Sequence, residues 1–459
     1  MPVVSTYASA SVRGFSSKSI STAITYWLDA ISLKSSTGGM YTDITSIDST
    51  PWLFGYSGPL TGPSAKPFAM SLVQSTGAID SYTILATRVP GDDYIRIRGV
   101  NKDTSGNLHI LVARFFSATN GFLLIKYDSA GTLVYNKVFS GTSTNIGAAL
   151  GDLIKDSSDY LYVFSFNSTS FVLTKIDPTN YTVVWSKTIS MTVNITTSAS
   201  SRPKCLYIDS SDNIYVVVYT TTGTVSTIFK FDTSGTILWQ KSSANFSGGL
   251  SRKIDFDSSG NLYLLTNTTS TPTIVKLDSS GSTTYTKTYI NSPGDIFLAL
   301  IINTDDNIVI LSRSSTSSSQ FFTQSHDFVT GDMLYNTRIN NTVSMIATDL
   351  ISITGSLYVT CNLGALTGGN TNFNIKVNNN NSITSYSTPW SYSYTKDGGT
   401  VVNESGTLTS TGLANKTMSN TTVSFTTTSY TTSDFAITVA DLAQTLGATV
   451  PFEYYTPLI

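Results

Sequence analysis

Charge is scarce in this chain. Asp, Glu, Lys and Arg make up only 12% of its 459 residues, against roughly 25% in an average soluble domain. Long surface helices are built from Glu, Lys and Arg, so the scarcity speaks against them. The charges present nearly balance, at a net −2. No basic run appears, which excludes the electrostatic footprint of a nucleic-acid binder. No apolar run approaches the ~18 residues of a membrane-spanning helix, so no membrane insertion is expected. The opening MPVVSTYASASVRGFSSKS has no charged segment leading into an apolar one and reads as no secretory leader. Met1 speaks against a leader already removed. Cysteine and histidine occur only twice each, as Cys205, Cys361, His109 and His326. The two cysteines fall in different repeats, so they read as buried free thiols rather than as a disulfide.

Hydroxyl and aromatic residues take the place of charge. Serine and threonine account for 138 residues, with 25 Tyr and 22 Phe, and hydrophobic residues reach 40%. That mixture suits pleated strands and is too apolar for a disordered Ser/Thr tract. One unit recurs along the chain. Its clearest copy, at 254–290, is IDFDSSGNLYLLTNTTSTPTIVKLDSSGSTTYTKTYI. An apolar run leads into the turn DSSGN, and a second run, LYLL, into a polar loop. IVKLD, the turn SSG and a last strand complete the unit. The first turn begins at Asp48, Asp103, Asp156, Asp209 and Asp257, with weaker copies at Asn303 and Ser352. The second turn follows Val73, Tyr127, Ile176, Phe231, Leu277, His326 and Val377. Asx turns and residues tolerant of positive φ make these tight hairpins. Seven units of four strand-like runs, each about 50 residues long, carry the period of a propeller blade. A lone blade leaves both faces wet, whereas blades in a ring cover one another. The expected fold is all-β, a seven-bladed β-propeller with an extended N-terminal arm and a small C-terminal β appendage.

The segments DSSGNLYLL at 257–265, KLDSSG at 276–281, KFDTSGTILWQK at 230–241 and KIDPTNYTVVWSK at 175–187 carry a resemblance. The unit resembles the seven-bladed β-propeller repeat family found in bacterial surface proteins and in tail-associated phage proteins. The resemblance covers about 41–390 and implies the fold far more strongly than any function. Residues 24–32, ITYWLDAIS, look like the last strand of a blade and are expected to close the ring against the seventh unit. The domain reading is then an arm at 1–23, a propeller at 24–395 and an appendage at 396–459. Arg13, Gly14 and Phe15 in the arm look like N-terminal segments of some phage virion proteins. Phe452, Tyr454 and Tyr455 near the other end are costly to leave in water. These six are the candidate docking residues.

No constellation for catalysis is visible. The two histidines sit in different repeats at different positions, which argues against a metal site or a Ser-His-Asp triad. The turn aspartates lack the DxDxDG spacing of a calcium loop and read as Asx turns. Sialidase-type boxes, phosphate loops and nucleophile elbows are missing. The expectation is therefore no enzyme, no metal and no cofactor. Lysines stand just before the second turn in five units: Lys126, Lys175, Lys230, Lys276 and Lys376. They read either as solvated strand residues or as a ring of charge for an anion or glycan. Trp52, Trp185, Trp239 and Trp390 read as core packing before they read as sugar-stacking platforms. The function expected is a non-catalytic structural or adhesive component of a bacteriophage particle (tail, fibre or capsid decoration), located in the virion. Its partners would be other virion proteins and copies of itself, with a host-surface glycan as a further candidate. The alternative is a carbohydrate-binding or cell-surface adhesin propeller.

Overall fold

The computed structural model describes residues 24–441 with gaps, and side chains within parts of 98–359. Among the described residues there is no helix. The described strands form seven antiparallel sheets, one for each sequence unit. In unit 3 the order from inside to outside is Ala149–Lys155, Leu161–Phe166, Ser170–Ile176 and Val183–Ser190. The inner strands of units 1 and 2, Met40–Ile47 and Tyr94–Lys102, touch each other. Unit 2 continues to unit 3, and unit 3 to Leu206–Ile208 of unit 4. Ile254–Phe256 of unit 5 touches Asp295–Ile302 of unit 6, which touches Met345–Ile353 of unit 7. Unit 7 returns to unit 1. Units 4 and 5 join through one apolar cluster, with Tyr215, Val217 and Ile228 against Ile254, Leu264 and Val275. This arrangement is a β-propeller.

The turns form as the residue types dictate. One carboxylate oxygen of Asp156 accepts the backbone N–H of Ser158 at 3.0 Å and of Tyr160 at 2.8 Å. Asp209 and Asp257 repeat the pattern with Ser211 and Asn213, and with Ser259 and Asn261. Asn303 keeps it through the N–H of Asn307. Ser352 does not begin a turn. It lies inside a strand opposite Leu357, and Ile353 pairs with Ser356, so the chain reverses between those two residues.

The third turn residue after the aspartate has positive φ. It is Gly106 and Gly260 in units 2 and 5, but Asp159 at 69° and Asp212 at 62° in units 3 and 4. A left-handed aspartate is strained by roughly 1–2 kcal/mol. Here the carboxylate reaches the preceding blade: Asp159 accepts the N–H of Thr104 at 3.0 Å, and Asp212 that of Ser157 at 2.9 Å. Each also accepts the hydroxyl of the same residue. The core lies between blades. Phe171 of unit 3 meets Phe229 of unit 4 edge-on at 5.1 Å, and both are fully buried. Fully burying such a ring contributes roughly 1.5–3 kcal/mol. At the inner ring, a Cβ on Gly99 would sit 2.6 Å from the Cβ of Leu153. Only glycine lets these two inner strands approach so closely.

Unit 7 has three strands of its own, and Ile24–Leu28 supplies the fourth by pairing with Gly369–Asn378. The segment read as a closing strand thus joins the two ends of the ring. The C-terminal part forms no separate described sheet. Ser385–Lys396 and Thr400–Leu413 make a hairpin across the boundary placed at 395, and the second strand extends the sheet of unit 6. Met418–Asn420 then adds to the outer strand of unit 5, Thr432–Asp434 to that of unit 3 and Ile437–Asp441 to that of unit 2. The arm at 1–23 lies outside the described residues.

Replacing Asp212 separates its strain from its bonds. Asp212→Ala keeps the left-handed backbone and loses the bonds to Ser157, and is expected to lower stability by about 2 kcal/mol. Asp212→Gly relaxes the backbone and should lose only about 1 kcal/mol. Urea unfolding midpoints give the order, and equal losses would refute the strain argument.

Candidate functional site: the aspartate–lysine–aromatic network

The second carboxylate oxygen of Asp103, Asp156, Asp209 and Asp257 faces into its blade. There it accepts the hydroxyl of the residue six positions on: Tyr162 to Asp156 at 2.9 Å, Tyr215 to Asp209 at 3.1 Å and Tyr263 to Asp257 at 2.9 Å. In unit 2 the corresponding residue is His109, whose Nε2 lies 3.1 Å from Asp103. Directly across the sheet from these residues stand Lys126, Lys175, Lys230 and Lys276. Their ammonium groups lie 4.0, 3.4, 3.4 and 3.5 Å from the aspartates of their own blades. Lys175, Lys230 and Lys276 also stand over the rings of Tyr162, Tyr215 and Tyr263 at 5.1–5.2 Å.

Each ammonium then crosses to the next blade. Lys126 donates to the carbonyl of Pro178 at 3.0 Å, Lys175 to Thr233 at 3.4 Å, Lys230 to Ser279 at 3.2 Å and Lys276 to Phe328 at 3.2 Å. All four acceptors sit in the second turn of the following unit. The same carbonyls receive the indole N–H of Trp185 at 3.1 Å and Trp239 at 3.2 Å, and the hydroxyl of Tyr285 at 3.3 Å. These rings lie on the left-handed glycines of the next turn. A Cβ at Gly331 would be 2.8 Å from the ring of Tyr285. Unit 3 departs from the rule: Tyr181 holds the left-handed position with φ 59°. Its buried hydroxyl meets Nδ1 of His109 at 2.9 Å, which replaces the ring-on-glycine contact by an Asp103–His109–Tyr181 chain.

For Lys126, Lys175, Lys230 and Lys276 neither sequence reading survives; the side chain of Lys376 lies outside the described residues. They are not solvated, since Lys175, Lys230 and Lys276 are buried, and they do not face an open anion site. They are latches, each ammonium paired with the aspartate of its own blade and donating to a turn carbonyl of the next one. Trp185 and Trp239 belong to the same latch. His326 is fully buried where other units carry Tyr127, Ile176, Phe231 and Leu277. The aromatic residue six positions after the aspartate was missed in the sequence, although the signal was there. Unit 6 has Asn303, Val309 and Ser325 at the three positions, so acid, aromatic and lysine are absent together. The candidate docking residues Arg13, Gly14, Phe15, Phe452, Tyr454 and Tyr455 lie outside the described residues.

Electrostatics follow the geometry. Burial raises the pKa of Asp209 and Asp257. Hydrogen bonds from Asn213 and Asn261, with the nearby Lys230 and Lys276, outweigh it and hold both below the usual carboxylate value. Burial pushes His109 down, against the pull of Asp103. Cys205 is fully buried, and burial pushes its thiol up, away from reactive thiolate. Among the described residues no cluster of three His, Cys, Asp or Glu is placed to hold a metal ion.

The fold and this network define a β-propeller with latched blades. No family model matches the chain, and no curated protein does. Among solved structures it is similar to a protein from Lactobacillus plantarum, at 11% identity and TM-score 0.47, over 70% of this chain and 93% of that one. It is similar to the apo form of prolyl oligopeptidase B from Galerina marginata, at 10% identity and TM-score 0.47, over 80% of this chain and 55% of that one. It is also similar to regucalcin, a calcium-binding protein from Agrobacterium tumefaciens, at 14% identity and TM-score 0.33, over 62% and 91%. At these levels the likenesses assign no function to this chain.

Two outcomes follow. Lys230→Ser alone strands Asp209 in a buried place and should lower stability by about 3 kcal/mol. The triple Asp209→Asn, Tyr215→Val, Lys230→Ser copies unit 6 and should be less destabilised than the single variant. Urea titration of both proteins decides, and an additive triple would refute the coupling. For His326, burial holds the folded pKa at about 4, while the unfolded value is near 6.5. The folded state therefore refuses a proton that the unfolded chain accepts. Stability from this group is full above pH 6.5 and falls by about 3 kcal/mol as pH drops to 4. His326→Leu should flatten that part of the stability profile, and an unchanged slope would exclude His326 as its source.

Proposed function

We propose that this chain is a non-catalytic structural or adhesive component of a bacteriophage particle, present there in several copies. The observation that carries the reading is the commitment of the buried polar groups to joining blades. Asp103, Asp156, Asp209 and Asp257 are tied to lysines that donate into the next unit, and His109 is enclosed between Asp103 and Tyr181. A ring joined in this way resists shear between blades, which is what a load-bearing or display element requires. Its described surface turns are rich in Ser, Thr and Asn and keep the ring polar. The virion assignment itself comes from the resemblance to tail-associated propellers. The glycan-binding reading draws less support, because the indoles of Trp185 and Trp239 already donate to turn carbonyls.

The test is the protein content of density-gradient-banded particles of the virus that encodes the chain, read by quantitative mass spectrometry. The expected result is a fixed copy number per particle. Absence from banded particles with abundant protein in the lysate would overturn the reading. Variants lacking 1–23 or 447–459 are expected to stay folded and to enter particles at least tenfold less. Normal incorporation of both would remove the docking role of Arg13, Gly14, Phe15, Phe452, Tyr454 and Tyr455.

A further inference from the structure

Unit 6 differs from its sister units on the face it turns towards unit 5. Its last three strands of the blade are Ile308–Ser314, Gln320–His326 and Met333–Asn341. Ile308 and Ile310 pack against Tyr263, Leu265 and Ile274 of unit 5, which identifies the face. Side chains alternate along a strand, and directly opposed residues of paired strands share a face. Ser312 therefore points the same way as Ile310, and so does Gln324 opposite Ile310. Asn336 stands opposite Gln324 and Arg338 opposite Phe322, on that face again. Ser312 and Gln324 are fully buried, Asn336 is 2% exposed, and Arg338 is half-buried.

The sister units are mostly apolar here. At the positions of Ser312 and Gln324, unit 2 carries Val112 and Ile125, and unit 4 carries Val218 and Phe229, all buried. Unit 3 has a polar pair at the positions of Gln324 and Asn336, and satisfies it directly. Thr174 and Ser186 share a hydrogen bond of 3.0 Å. Unit 6 has no such closure. Ser312 Oγ, Asn336 Oδ1 and Arg338 Nε are all shut off from bulk solvent, and among the described residues none supplies a hydrogen-bond partner to any of them. A buried polar atom without a partner is strongly destabilising, and three in one patch call for a ligand.

The three atoms define its chemistry. Arg338 Nε–H only donates, Asn336 Oδ1 only accepts, and the Ser312 hydroxyl does both. A molecule that serves all three must accept and donate. A deprotonated anion suits Arg338 but has no proton to give Asn336. Burial this deep admits only something small. We propose that this face of unit 6 holds a short chain of ordered water, running from Ser312 past Gln324 to Asn336 and Arg338. Buried water of this kind makes about three hydrogen bonds to otherwise unmatched groups and forms part of the fold. Here it ties three strands of the blade together. The last of them also receives the C-terminal hairpin, with Asn336 paired to Leu413 and Arg338 to Thr411.

Ser312→Ala in the full chain tests the proposal by the sign of its effect. In a hydrated patch the water chain loses a partner, and the folding equilibrium constant should fall about fivefold, the worth of one hydrogen bond. In a dry patch the same change removes an unmatched buried hydroxyl. Urea unfolding that shows an unchanged or higher constant would therefore overturn the proposal. A crystal structure of the unmodified protein gives the second readout. Solvent density should lie ~2.7–3.2 Å from Asn336 Oδ1 and from Arg338 Nε. Direct bonding between these side chains, ordered side chains with no density between them, or another segment of the chain filling the patch would each overturn it.

Discussion

A lysine ammonium placed between the aspartate of its own blade and a carbonyl of the next is the constraint on which much of this ring depends. A buried charge costs several kcal/mol unless it is paired and its remaining donors are used. Lys175, Lys230 and Lys276 meet that condition with three kinds of partner at once: carboxylate, aromatic face and turn carbonyl. The carbonyl belongs to a different blade, so each charge is satisfied only when two blades are correctly seated. The polar network thereby specifies blade spacing, while the apolar clusters between blades supply the gross driving force. Unit 6 shows the same logic from the other side. Where Asn303 replaces the acid, the lysine position holds Ser325 and the aromatic position Val309, so no buried charge is left without its partner.

Backbone strain is used in the same way. The left-handed positions in the turns are glycine wherever the following contact needs only space. They are Asp159, Asp212 and Tyr181 where a side chain must cross to the preceding blade. Each of these three residues turns an unfavourable φ into a bond between units. The rim follows a different principle. Edge strands are open to pairing, and this chain adds strands to four of them from its own C-terminal segment. The lysines and acids that stand opposite each other there, Lys187 with Asp434 and Lys137 with Asp441, are of the charge types that favour such pairing.

The repeat made the fold legible. The DSSGN turns need Asp for the Asx bond and a residue tolerant of positive φ three places later, and both can be read directly from the spacing. The closing strand at 24–28 was legible too, because it shares the pattern of a blade's last strand. The turn at Ser352 was misread. Repeat spacing placed a weaker copy of the turn there, but strand pairing with Leu357 holds Ser352 inside the sheet. The C-terminal part was read as one small appendage because its Thr-rich alternation signals strands without naming their partners. Nothing local in MSN or TSD tells which edge will receive it.

Amino-acid type and spacing by themselves determined the all-β class, the recurring four-stranded unit and the tight turns. These depend on interactions within a few residues: a carboxylate on its own turn, or side chains alternating along a strand. Tertiary structure alone decided what the repeated lysines and the tryptophans Trp185 and Trp239 are for. The carbonyls they reach lie 40–58 residues away, on the neighbouring blade. Whether an ammonium faces water or a carbonyl depends on how closely two sheets pack, and a linear pattern carries no measure of that distance.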